Sequence, residues 1–131
     1  MDQINGFNVI HTYTRAQAIS DGVLIDITDF AKPYGYVVPV AITATLFNGY
    51  VKPNKELEKV GQSIEGRLHD LLMLLLYRIR TQGEGKAILN FSVDFVMKAN
   101  PYKTETVEVI AEYHPGDNGE PVMTIMLEED Q

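Results

Sequence analysis

"SIEGRLHDLLMLLLYRIR", residues 63 to 80, decides the architecture. Ile64, Leu68, Leu71, Leu72, Leu75 and Ile79 recur at three- and four-residue intervals, which lays one apolar stripe along a helix. Gly83 is expected to end it. Leu74 and Leu76 widen the stripe until Leu71 to Leu76 is apolar nearly all round, more than the face of one sheet requires. Such a helix is either covered on both sides or partly buried against a second subunit, so a homodimer is one expected outcome.

Beyond Gly85 the period drops to two. Ala87, Leu89, Phe91, Val93, Phe95 and Met97 alternate with polar residues, and "NPYK" (100–103) turns the chain. Val107, Val109, Ala111 and Tyr113 mark a second strand, "HPGDNGEP" (114–121) a second turn, and Val122 to Leu127 a third strand. Three consecutive strands with short connections predict an antiparallel meander. The expected fold is α+β: a two-layer domain spanning 1–131, with a three- or four-stranded antiparallel meander packed against the long leucine-rich helix and shorter helices N-terminal to it.

Upstream, Thr14 and Gln17 have capping-box spacing, predicting a helix from Arg15 to Ser20 or Asp21 that Gly22 ends in a left-handed conformation. "VLIDIT" (23–28) reads as an apolar strand, with Thr28 or Asp29 capping a further turn before Pro33. Ile42, Leu46, Phe47 and Tyr50 suggest a helix after Pro39, although Val37 to Ile42 also fits a strand. "KPNKELEKVGQ" (52–62) reads as a polar connection.

The net charge is -7. It is concentrated in residues 86–131, where three Lys against nine Asp/Glu give -6, while 1–85 carry eight basic and nine acidic residues. A chain of this sign lacks the cationic surface that phosphate backbones require, so direct nucleic-acid binding is not expected, whereas a basic protein surface is a suitable partner. There is no cysteine. No apolar run is long enough for a membrane span, and the opening "MDQINGFNV" lacks a signal-peptide pattern, so a cytoplasmic location is expected.

Chemistry-bearing residues gather near the N-terminus: His11, Tyr13, Arg15 and Asp26. A histidine can titrate near neutrality, Asp26 could orient it, and an arginine in a first helical turn could hold a phosphate or carboxylate. Asp26 could equally cap the following turn. On the long helix, Arg67 and Asp70 are three apart and can share a face. His11, His69 and His114 show no metal-ligand spacing, and "PGDNGEP" (115–121) lacks the EF-hand pattern, so neither a metal nor a cofactor is expected. P-loop, GxGxxG and GxSxG signatures are absent.

"IHTYTRAQAISDGVLIDITD" (10–29) and "PGDNGEPVMTIML" (115–127) resemble the two ends of a family of small uncharacterised proteins of bacteria, phages and plasmids, whose members read IHxYTRAQAxxDGxLxDV and GDxGEPVxTIML. "PVAIT" (39–43) resembles the family's middle element, a short helix, and "GRLHDLL" (66–72) its GRxxDxL helix. A tryptophan frequent in the family near the position of Phe47 is missing here. The resemblance carries no activity. It implies recurring polar and turn positions, of which capping and turn chemistry explain Thr14, Gln17, Gly22, Gly116 and Gly119. His11, Tyr13, Arg15, Asp26, Arg67 and Asp70 remain as a candidate shared pocket.

Two functions are therefore expected to compete. One is a non-catalytic accessory protein of a mobile element that binds a host protein or a small-molecule ligand, with Asp94, Glu105, Glu108 and Glu112 forming one negative patch. The other is a small enzyme or nucleotide-binding domain centred on His11, Tyr13, Arg15 and Asp26, which requires those residues to converge with Arg67 or Asp70.

Overall fold

The computed structural model describes residues 13–131. The long helix forms as its periodicity dictates: α5 runs Ile64–Gln82, with the Ser63 hydroxyl capping it through the Gly66 amide at 3.0 Å. Leu71, Leu72 and Leu75 are fully buried and Leu68 nearly so. Gly83 ends the helix in a right-handed conformation, and the positive φ falls two residues later at Gly85.

Strands β3 (Ile88–Ala99), β4 (Tyr102–Pro115) and β5 (Pro121–Leu127) pair antiparallel in sequence order. The sheet does not stop there, and it is not a three- or four-stranded antiparallel meander. Two N-terminal strands, β1 (Leu24–Asp26) and β2 (Val40–Thr43), extend it to five in the order β1-β2-β5-β4-β3, with β2 parallel to β5. The sheet is mixed because β2 inserts beside the chain's last strand, and Met123 N donates to Pro39 O at 2.9 Å where they meet. β5 is thereby central, and Val122 to Leu127 are buried on both faces.

The segment after Pro39 satisfies both of its sequence patterns in turn. Val40–Thr43 is strand, contrary to the helix expected for "PVAIT"; Thr43 then caps α3 (Ala44–Leu46), which continues as one π turn, Phe47–Val51. Ile42 and Leu46 are fully buried, so the apolar spacing that suggested one helix serves two elements. A short helix, α4 (Lys55–Glu58), interrupts the polar connection under an Asn54 cap. The turn α2 (Thr28–Ala31) is anchored neither by Thr28 nor by Asp29 as cap; the Asp26 carboxylate accepts from the Thr28 amide.

The helix expected from the capping box is present as α1 (Arg15–Ser20), with Gly22 left-handed at φ 79°. It lies on the face opposite α5. The α5 side of the sheet holds the main core, including Ile42, Val109 and Ile125, whereas Thr124, which Arg15 reaches, points the other way.

Leu71→Ala is expected to lower the unfolding free energy by about 2–5 kcal/mol, because the vacated site is walled by helix and sheet and cannot collapse. Urea denaturation followed by circular dichroism measures it.

Candidate functional site

α1 is only six residues long, and its four unpaired N-terminal amides are all accounted for. Thr14 N donates to Gln17 Oε1 and Gln17 N to Thr14 Oγ1, at 2.9 and 3.0 Å. The other two come from across the sequence: Arg15 N and Ala16 N donate to the Asp117 carboxylate at 2.7 and 3.0 Å. These amide bonds hold the Asp117 carboxyl below the usual aspartate range. The hairpin between β4 and β5 is shaped for this, with Gly119 at φ 82° and Gly116 N donating to Glu120 O. A Cβ at Gly116 would lie 2.7 Å from Glu120 Oε2 and 2.9 Å from Val122 Cγ1, so a side chain there would displace Glu120.

Arg15 joins the same two ends through its side chain. Nη1 donates to Thr124 Oγ1 at 2.7 Å and Nη2 to Met123 O at 2.8 Å. His114 Nε2 lies 2.8 Å from Thr124 Oγ1 and Nδ1 lies 3.0 Å from Pro115 O. The Pro115 carbonyl can only accept, so Nδ1 carries a ring proton and donates to it. Burial lowers the Arg15 pKa, opposed by the charges of Asp26, Asp117 and Glu120. Three carboxylates therefore already act on this cation.

Tyr13 donates from its hydroxyl to Asp21 at 2.9 Å, a bond that raises its pKa. Asp26 Oδ1 accepts from both the amide and the hydroxyl of Thr28, at 3.0 and 2.5 Å, and Val40 N donates to that hydroxyl oxygen at 3.0 Å, locking the turn to β2. His11 lies outside the described residues.

Arg67 and Asp70 stand elsewhere. Arg67 is 4% exposed on α5, on the other side of the sheet from Arg15. Its Nε donates to Gln62 Oε1 at 3.1 Å, Nη1 to Tyr50 O at 2.5 Å and Nη2 to Val96 O, while the guanidinium lies over the Phe95 ring at 5.6 Å from its centroid. Burial lowers its pKa. Arg67 thus ties the π turn and the edge of β3 to α5. Asp70 is exposed beside it, near Val93 to Val96. Tyr13, Arg15 and Asp26 share one end of the molecule, and Arg67 and Asp70 form a second cluster, so the described members of the set do not line one pocket.

Two surface features remain. A cavity of about 290 Å³, lined chiefly by Tyr36, Val38, Leu76, Ile79, Leu89 and Met123, opens beside Lys86 and Tyr113. On the sheet face away from α5, Asp94, Glu108 and Glu112 follow one another across β3 and β4; Ser92 Oγ donates to Glu108 and Thr106 Oγ1 to Asp94. Glu105 is out of phase with Glu108 and Glu112, lies on the opposite face, and accepts from Tyr50 Oη at 2.8 Å. Among the described residues no cluster of three or more His, Asp or Glu side chains is placed to hold a metal ion, and no helix is long and apolar enough to cross a membrane.

Sequence reasoning missed Asp117 and Thr124 as partners of Arg15, and His114 as the partner of Thr124. The available signal was Thr124 itself, the one polar residue in the otherwise apolar run from Val122 to Leu127.

Compared with known proteins, residues 1–131 match a family model described as a family of unknown function (DUF6573). No curated protein and no solved structure matches the chain.

Asp117→Ala should lower the melting temperature at neutral pH. The Asp117 carboxyl titrates lower in the folded state, so its stabilisation is complete above the unfolded-state value and is lost as pH falls through the folded one. The variant should therefore lose less stability than the wild type on acidification below about pH 4, measured by melting curves against pH. Arg67→Met leaves the half-buried Tyr50 and Val96 carbonyls without their donor and is expected to cost about 1–3 kcal/mol in urea denaturation.

Proposed function

We propose that the chain, which belongs to that family of unknown function, is a non-catalytic binding protein that presents the outer face of the β3–β4 hairpin to a basic surface on a partner protein. The observation that carries this reading is the placement of Asp94, Glu108 and Glu112 on one sheet face, within the stretch 86–131 that holds most of the chain's net negative charge. Charges presented together on a rigid sheet steer a complementary partner and fix its orientation. The mobile-element setting, with a host protein as partner and a defence system as its context, rests on the resemblance of the two terminal motifs.

The competing reading, a small enzyme or nucleotide-binding domain, draws less support. Its arginine is engaged by Thr124 and Met123 under three carboxylates, its tyrosine by Asp21 and its aspartate by Thr28, while Arg67 supports the far side of the sheet.

The test is affinity capture from extracts of the bacterial host at low and high salt, with the wild type beside a Glu108→Gln, Glu112→Gln variant. A basic protein should be retained at low salt and released at high salt, since exposed charges are screened over about 10 Å at 0.1 M. The variant should bind it more weakly by up to about 2 kcal/mol, on the scale of about 1 kcal/mol per exposed ion pair. Retention indifferent to both salt and substitution would refute the reading.

A further inference from the structure

Among the described residues β3 is one of the two outer strands of the sheet, with β4 on one side only. Strand alternation identifies the backbone groups that face away from β4. Ala87 O accepts from Tyr113 N on β4 at 2.7 Å, and the register is unbroken from Ile88 to Val96. Odd-numbered residues therefore direct their backbone groups at β4, and Asn90, Ser92 and Asp94 direct theirs outward. The Val96 carbonyl, in the same phase, accepts from Arg67 Nη2 and marks where this free edge ends.

Along the edge, α5 runs antiparallel to β3. Arg67 stands beside Val96, Asp70 beside Asp94, Leu74 beside Ser92 and Tyr77 beside Asn90. Two grooves of about 340 and 460 Å³ follow this seam and share Leu74 and Ser92. The helix side above them is apolar where solvent would favour polar residues, with Met73, Leu74 and Tyr77 exposed by 44, 42 and 69%. Arg78 Nε is buried there without a hydrogen-bond partner among the described residues.

We propose that this seam is a homodimer interface, in which a two-fold axis at Ser92 pairs β3 antiparallel with the partner's β3 and the same axis, passing Leu74, lays α5 antiparallel against the partner's α5. Charge complementarity selects a second copy of this chain as the occupant. Asp70 and Arg78 lie four residues either side of Leu74, so an axis there brings Asp70 of each subunit to the partner's Arg78, twice, and gives the half-buried Arg78 a carboxylate. Asn90 and Asp94 lie two residues either side of Ser92, so the axis sets Asn90 opposite the partner's Asp94 and keeps the two Asp94 side chains apart. One axis serves strand and helix together because Leu74 sits beside Ser92. The interface adjoins the proposed acidic docking face: Glu108 lines the groove beside Leu74 and Ser92 and Asp94 stands on the paired edge, while Glu112 lines neither groove and its side chain lies on the sheet face away from α5.

Light scattering on a sizing column reads the outcome. The wild type should elute at twice the 14.7 kDa chain mass. Asp70→Arg and Arg78→Asp, each alone, face like charges across the axis and should halve the mass, whereas an equimolar mixture of the two should restore the dimer, since every contact again joins Asp to Arg. Ser92→Pro removes an outward N–H and leaves the bonds to β4 intact, so it should give a folded monomer by circular dichroism. A monomeric wild type, a dimer that survives both single reversals, or a mixture that stays monomeric would overturn the proposal. If Ser92→Pro fails to fold, the mixing experiment decides alone.

Discussion

The burial of the α5 leucines against the sheet is the interaction on which the rest of the structure depends. Leu68, Leu71, Leu72 and Leu75 meet Val109 and Ile125 from the sheet and Ile42 from β2 in one cluster. Each fully buried leucine contributes about 1.5–3 kcal/mol relative to exposure, so this helix supplies a large share of what stabilises a domain. β5, central and buried on both faces, needs a strand on either side, and β2 supplies the one away from β4, in parallel. The N-terminal third of the chain is drawn into the sheet because of this requirement.

Two arginines hold the periphery on opposite sides. Arg15 fastens the first helix to the last strand, and Arg67 fastens the π turn to the first strand of the C-terminal half. Both are substantially withdrawn from water, with carbonyl, amide or hydroxyl oxygens supplying the hydrogen bonds a cation needs in such a place. Their placement gives two distant stretches a mechanical role: "TRAQ" (14–17) and "GDNGE" (116–120) are two halves of one joint, made of a helix start and the hairpin that caps it.

The polar groups that remain for partners lie around the β3–β4 hairpin. Its outer face is acidic and its free edge runs beside exposed apolar residues of α5. A face and an edge at right angles can serve different partners, and that division underlies the separate assignment of a basic protein to the face and a second copy of the chain to the edge.

The sequence by itself determined the elements whose information is local. The capping box around Thr14, the left-handed Gly22, the leucine stripe and the alternation from Leu89 to Phe95 each depend on residues within a turn or two of one another, and each is present. The exposure of Leu74 follows from the same excess of leucine that raised the question of a second subunit. Tertiary structure alone decided that Val40–Thr43 would be a strand beside β5, that Asp117 would cap a helix some hundred residues away, and that Arg15 and Arg67 would stand on opposite sides of the sheet. A parallel pairing across eighty residues leaves no periodic trace in either segment, because its register is set by the fit of whole layers and not by neighbours in the chain.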